Sequence, residues 1–393
     1  VQLQEKKMDF DKITDRTGTN AIKYDLAEAR NKPKDAISLW VADMDFPTAP
    51  CVQKAIAEKA AHGIFGYSRP DSRYYAALKK WFKERHNYKI QDEWVVNTPG
   101  VCFALAAAIR AFTKEGESVL VQKPVYYPFF NMIKNLSRKV VNSPLELKNG
   151  HYEIDFHDFE DKIVSEKVKM FILCSPHNPG GRVWKKEELL RISEICLEHN
   201  VLVVSDEIHS DITFEGHTHT VYGTLSPAAA ENSIICTAPS KSFNLAGLQF
   251  SNIIIPCAKL RVDFLRELDR TGYDEPSLMG IVAATAAYSE GAEWFDEAKS
   301  YIWKNIQFAK SYIEENCPKI KVIVPEGTYL LWLDFFGLGL TDKEINGRIL
   351  NNAKVWLDSG SMFGSEGEKF QRINCATPRA ILKEALERIC ARF

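Results

Sequence analysis

The feature that most restricts the fold of this chain is a rhythm that begins near residue 93. Short apolar runs recur at 118–121, 138–141, 168–174, 201–205, 233–237 and 250–255, with helical segments between most of them, notably 185–199. Trp94-Val95-Val96-Asn97 precedes them as a further strand, and Thr98-Pro99-Gly100 leads from it into an alanine-rich helix ending near Phe112. Runs that are apolar throughout, rather than alternating, belong to strands buried on both faces. Such strands separated by helices predict an α/β fold, a largely parallel sheet covered on both sides.

The flanks of this series read differently. Residues 1 to about 50 show no βα rhythm beyond a short strand at 37–42, which Asp43-Met44-Asp45-Phe46-Pro47 breaks. Helices are expected at 51–62 and 72–87, joined by a loop from Gly63 to Pro70. The stripe Tyr75, Leu78, Trp81 and Phe82 on the second helix reads as core rather than ligand contact. Periodicity weakens across 256–280. A long helix over 281–315 then leads to strands at 319–324, 328–335 and 370–375 and helices at 342–352 and 378–392. At 393 residues the chain exceeds one simple core. The division expected is an N-terminal segment 1–48 that joins the small domain, a large domain 49–285 and a C-terminal small domain 286–393.

Composition removes several classes of function. A net charge of −2 gives no polyanion-binding signal, so nucleic acid is not expected. No apolar run approaches the roughly 20 residues that span a bilayer, and the polar start Val1 to Lys7 lacks the apolar core of a secretory signal. A cytoplasmic protein is the expectation. The nine cysteines include no CxxC pair, and several, such as Cys174 and Cys236, lie in apolar runs. They read as buried reduced thiols. His217 and His219 stand close together with no acidic or thiol partner in sequence, so no metal site is expected.

In open parallel sheets, ligands gather beyond the carboxyl ends of the strands. The chain places unusual residues at those ends. Gly100-Val101-Cys102 opens a helix whose free N–H groups suit a phosphate, although an ordinary strand-to-helix turn reads the same way. Pro124-Val125-Tyr126-Tyr127-Pro128-Phe129-Phe130 is a proline-stiffened loop offering a flat ring to an aromatic ligand, or simply packing. Ser175-Pro176-His177-Asn178-Pro179 fixes a turn in which Asn178 offers donor and acceptor, and His177 shapes the loop. Ser205-Asp206-Glu207-Ile208-His209 puts an acid directly after a very apolar strand. That position is costly without a cation or strong donor, unless Asp206 merely caps a helix. Thr237 to Gln249 sets Lys241 just past a strand, where an amine withdrawn from water becomes nucleophilic or forms a Schiff base. Each element has a plain reading. Together they meet the needs of pyridoxal 5'-phosphate: a lysine, a partner for the ring nitrogen, a ring stack and a phosphate site.

With these residues the sequence resembles the type I (aspartate aminotransferase-fold) pyridoxal-phosphate enzymes. It is more similar still to their cystathionine β-lyase/cystalysin branch, the MalY/PatB-type C–S lyases. The marks are Trp40-Val41-Ala42-Asp43-Met44-Asp45-Phe46, the tyrosine loop, Ser175-Pro176-His177-Asn178-Pro179, Ser205-Asp206-Glu207-Ile208-His209 and Ala238-Pro239-Ser240-Lys241-Ser242-Phe243-Asn244. The likeness runs from about residue 9 to the C-terminus. It implies a large domain with a mostly parallel seven-stranded sheet and a smaller α+β domain. It also implies roles: Lys241 holds the cofactor and later moves the Cα proton, and Asp206 pairs with the pyridine nitrogen. Tyr126 stacks on the ring, Asn178 and His209 tune its phenolic oxygen, and Val101, Cys102 and Ser240 hold the phosphate. Tyr67 matches a tyrosine that reaches the neighbouring subunit's phosphate, which implies a homodimer with shared sites. Arg372 matches the arginine that clamps the substrate α-carboxylate, with Tyr127, Asn178 and Ala42 beside the substrate.

Eight residues after the lysine, most aminotransferases of this fold carry an arginine on the phosphate, where this chain has Gln249. That departure favours the lyase branch. The expected reaction is α,β-elimination from L-cystathionine, L-cysteine or another S-substituted cysteine, giving pyruvate, ammonia and a thiol or hydrogen sulfide. An aminotransferase of the same fold and a regulatory protein retaining it are the alternatives.

Overall fold

A computed structural model describes residues 8–393; the polar start read above, Val1 to Lys7, lies outside the described residues. The rhythm becomes one sheet of seven strands: β1 (Val95–Thr98), β2 (Ser118–Val121), β3 (Lys139–Asn142), β4 (Val168–Cys174), β5 (Leu202–Asp206), β6 (Ser233–Thr237) and β7 (Ser251–Ile254). Their spatial order is β1-β7-β6-β5-β4-β2-β3. Only β7 runs against its neighbours; every other pairing is parallel. Every residue of β2, β5, β6 and β7 is buried, as strands covered on both faces require. In register, Cys174, Asp206 and Cys236 stand side by side, so the carboxyl ends of β4, β5 and β6 share one edge.

Helices cover the sheet. Val101–Phe112 packs against β1, β4, β5, β6 and β7, and Ala258–Arg270 lies against that helix. Leu278–Glu290 packs on Pro50–His62 and Ser72–His86. Asp71 caps the last of these, accepting from the N–H groups of Arg73 and Tyr74. Beyond the large sheet lies an antiparallel one, β8 (Lys321–Ile323), β9 (Leu330–Asp334), β10 (Asp358–Ser359) and β11 (Phe370–Asn374), in the order β8-β9-β11-β10. The helices Ala292–Asn316 and Arg379–Cys390 pack together beside it. The N-terminal strand Ile37–Ser38 pairs in parallel with Val355–Trp356, which ties the start of the chain to this smaller unit.

Four sequence expectations are corrected. The helix expected over 281–315 is two, Leu278–Glu290 and Ala292–Asn316, broken at Gly291. A Cβ there would come within 2.5 Å of the Phe243 ring and the Ala287 carbonyl, so the break seats the chain against Phe243. The weakly periodic stretch contains a full helix, Ala258–Arg270, whose buried Phe264 and Leu268 are masked in sequence by seven charged neighbours. The tyrosine loop ends sooner than expected, because Pro128 starts the helix Pro128–Asn135. All nine cysteines are free, but Cys102 is exposed and Cys51, Cys257 and Cys390 are only partly covered.

Candidate active site

The edge formed by β4, β5 and β6 gathers most of the residues singled out in sequence. Asp206 ends β5 and is buried; its Oδ1 accepts the Ile208 N–H at 3.1 Å. The residues after it form a turn and not a helix, so the carboxylate is no helix cap. Among the described residues no cation lies within ion-pair distance of it. Burial pushes its pKa up to about 7, against the Ile208 N–H and the Lys241 charge. A buried acid left in this state calls for a cationic partner that the described residues do not supply.

Lys241 stands on the short helical turn Pro239–Ser242 after β6. Its Nζ donates to the Ala42 carbonyl at 2.5 Å and meets no carboxylate at ion-pair distance among the described residues. Burial lowers its pKa, opposed by Asp43 and reinforced by Arg372. Asp211 fixes the turn from beneath. It accepts from Ser242 Oγ at 2.5 Å and the Trp81 indole at 2.9 Å, and it pairs with His86 Nε2 at 2.8 Å.

Arg372, on β11, is almost fully buried. It donates to Asn178 Oδ1 and to the Trp40 carbonyl, each at 2.9 Å, and forms an ion pair with Asp358. Its Nε has no partner. Asn178 thereby joins the turn after β4 to the smaller unit. The neighbouring His177 only shapes that turn: its Nδ1 accepts the Gly180 N–H at 3.2 Å, and burial holds its pKa down at about 3. His209 is buried beside the Tyr329 ring, its Nδ1 unpartnered and its pKa pulled far down by burial and by Lys241. It is a neutral imidazole with a free nitrogen.

Tyr126 and Tyr127 lie together, ring centroids 5.4 Å apart. Burial raises the Tyr126 hydroxyl well above its usual range, so it stays protonated. Cys102 borders Tyr126 at the start of Val101–Phe112, where no side chain caps the first turn. Gly100 there has φ +144, and a Cβ on it would meet nothing within 4 Å, so the helix start opens onto free space. Ser240 flanks the lysine. Tyr67 is 95% exposed on the loop between Pro50–His62 and Ser72–His86, and Gln249 is exposed with φ +49.

Sequence reasoning missed the residues that hold the 40–46 segment in place. Its carbonyls are held almost one by one: Val41 and Asp43 by Asn374, Ala42 by Lys241 and Tyr329, Met44 and Phe46 by Asn244. It also missed Glu207 as the partner of His219, a fully buried pair at 2.8 Å that corrects the view of His219 as unaccompanied. His217 has Glu326 at 3.9 Å. Glu160, Glu198 and His199 bring ligand atoms together away from the crevice, with Glu160 already paired to Arg191.

The donor set fits one kind of ligand. Asp206 suits a protonated ring nitrogen, Lys241 an aldehyde, Tyr126 a flat face, His209 a phenolic oxygen and the uncapped helix start a phosphate. No helix among the described residues is long and apolar enough to cross a membrane.

Comparison with known proteins agrees with this geometry. The cystathionine β-lyase PatB of Bacillus subtilis is 44% identical over 98% of this chain and 99% of its own. The protein MalY of Escherichia coli is 33% identical over 96% of this chain and 97% of its own. The crystal structure of cystalysin from Treponema denticola, which contains a pyridoxal 5'-phosphate cofactor, superposes with a TM-score of 0.95 at 38% identity, covering 98% of this chain and 99% of that one. Residues 34–389 match the aminotransferase class I and II family, and the chain belongs to that family.

Proposed function

We propose that this protein is a pyridoxal 5'-phosphate-dependent carbon–sulfur β-lyase. It releases pyruvate, ammonia and a thiol, or hydrogen sulfide, from L-cystathionine, L-cysteine or related S-substituted cysteines. The observation that carries this reading is Asp206, a buried carboxyl with no cation of its own in the same crevice as a lysine stripped of carboxylate partners. The 44% identity to PatB along nearly the whole chain supports the lyase over other reactions of the fold.

Lys241 would hold the cofactor, Asp206 its ring nitrogen, Tyr126 its face, and Asn178 and His209 its phenolic oxygen. The Val101 and Cys102 N–H groups and Ser240 would hold its phosphate. When bound, the cofactor supplies an electron sink for the Cα carbanion. The chain's own residues do the rest. Arg372 and Asn178 fix the α-carboxylate, with the Ala42 carbonyl and Tyr127 beside the substrate. The Lys241 amine, its pKa lowered by burial, takes the Cα proton. Tyr126, protonated through burial, or Tyr127 delivers a proton to the departing sulfur. The Cβ–S bond breaks and the three-carbon fragment hydrolyses, so L-cystathionine and water give homocysteine, pyruvate and ammonia.

The reading extends to a homodimer in which Tyr67, fully out in solvent in one chain, reaches the partner's phosphate site. It also includes a division into segment 1–48, large domain 49–285 and small domain 286–393, and a cytoplasmic location. The test supplies L-cystathionine to the cofactor-loaded protein with no keto acid. A lyase releases pyruvate continuously; an aminotransferase stalls after one half-turnover, which would overturn the proposal.

A further inference from the structure

Outside the Arg372–Asp358 pair lies a second group of charges that the reaction above does not use. Trp40 and Trp356 stack with centroids 4.5 Å apart and planes 16° off parallel, and both are buried. The Trp40 carbonyl is the one that Arg372 holds, so this stack adjoins the substrate-carboxylate corner. Arg30 ends a short helical turn and places its guanidinium 4.7 Å from the centre of the Trp40 ring. Lys32 sets its amine 5.8 Å from the Trp356 ring. The nearby acids are engaged elsewhere, Glu28 with Lys34 at 2.8 Å and Asp35 with Lys354 at 3.8 Å. Among the described residues neither Arg30 nor Lys32 has a carboxylate at ion-pair distance.

Burial raises the Asp358 pKa, and Arg372, Arg30 and Lys32 draw it back. Burial also raises the Tyr127 hydroxyl, opposed by Arg372 and Arg30, and Tyr127 packs against Phe363, the ring over which Arg372 lies at 4.9 Å. Since Asp358 already balances Arg372, the remaining positive charge in this corner belongs to Arg30 and Lys32. The stacked rings cover each other's inner faces, so the two cations lie over separate rings. Arg30, with no anion of its own, offers a place for an anion brought by the ligand, and Lys32 adds positive charge at longer range.

Resting on the lyase reading above, we propose that Arg30, assisted by Lys32, is a specificity-determining residue that binds a carboxylate on the substrate's sulfur substituent. L-Cysteine has no such group, whereas thioethers or disulfides that join cysteine to a second amino acid have one. The site would therefore prefer substrates with an acidic S-substituent to neutral ones of equal size.

The test compares S-(2-carboxyethyl)-L-cysteine with its neutral amide, S-(2-carbamoylethyl)-L-cysteine, on the cofactor-loaded enzyme, reading pyruvate. The expected ratio of kcat/KM values is about 5–10 in favour of the acid, as for a partly solvated charge pair, and smaller at high salt. Arg30→Met with Lys32→Met brings the ratio to about 1, and Arg30→Lys largely keeps it. An equal rate on both substrates in the unaltered protein overturns the proposal while leaving the lyase reading intact. A fall on both substrates that leaves the ratio unchanged in the double variant also overturns it, because the residues would then act only on structure. No pyruvate from either substrate overturns the lyase reading and this one with it.

Discussion

Two lysines hold the 40–46 segment from opposite sides, and their surroundings are opposite too. The Lys23 amine is fully buried between Asp45 at 2.7 Å and Asp43 at 3.4 Å, and Arg16 completes the cluster at 2.6 Å from Asp43 and 2.8 Å from Asp45. Two cations meet two anions. Burial alone would raise the Asp45 pKa, yet Lys23 and Arg16 hold it below the ordinary value. Lys241 has only the Ala42 carbonyl, and the nearby acid Asp206 is left without a cation. A charge cluster that closes on itself anchors the chain. One left open costs stability and is retained where a ligand completes it.

The largest expected contrast is in activity. Lys241→Ala should lower pyruvate release by about 10³-fold or more, since both the covalent anchor and the base are lost. Its unfolding midpoint in urea should stay within error of the parent or rise, because a poorly solvated amine is removed. Lys23→Met should do the reverse for stability. It leaves Asp45 with Arg16 as its remaining cation beside the Tyr24 hydroxyl, and breaking a buried pair costs about 3–5 kcal/mol. Similar stability losses in the two variants would erase the distinction between anchor and site.

Next in size is the pH dependence of the cofactor-free protein. In the fold Asp206 titrates at about 7, above its ordinary 3.8. Between those values the folded chain binds more protons at Asp206 than the unfolded one, so this group's contribution to stability falls as pH rises from the ordinary value through the folded one. The buried His177 and His209 act against it, because their lowered pKa values contribute a rise with pH below their ordinary value. Asp206→Asn should remove the falling contribution, and so should adding pyridoxal 5'-phosphate to the unaltered protein. Thermal melts of parent and variant at several pH values read both; a pH dependence left unchanged by Asp206→Asn means that Asp206 does not contribute to it. The smallest effect expected is at Gln249, exposed and already in the left-handed region. Gln249→Arg should slow cofactor release several-fold by adding one charge-assisted contact to the phosphate, which dialysis followed by absorbance would measure.

What the sequence discloses follows the same division between open and closed features. The strands of the large sheet were legible because burial on both faces makes them continuous apolar runs, and their bounds fall within a residue or two of expectation. Lys241, Asp206 and Asn178 drew attention because each sits in a motif whose residue types make poor sense as packing, whereas Arg372 was marked by the family resemblance alone. Asp358, Tyr329, Asn374 and Asp211 were not. Each is a single polar residue whose reason lies in a distant partner, as Asn244 lies 200 positions from the Met44 backbone it grips. The break at Gly291 was hidden for the same cause, since the ring it accommodates belongs to Phe243. Tyr67 was marked only by the family resemblance, as a residue that reaches a neighbouring subunit, and within one chain it is 95% exposed.

The contrast between Lys23 and Lys241 is tested most directly by incubating the protein with pyridoxal 5'-phosphate, reducing with borohydride and mapping the modified peptide. The expected result is one stoichiometric modification at Lys241, with Lys23 untouched and the yellow absorbance lost. Label at Lys23, or label spread over surface lysines with Lys241 unmodified, would contradict the assignment of the crevice as the cofactor site.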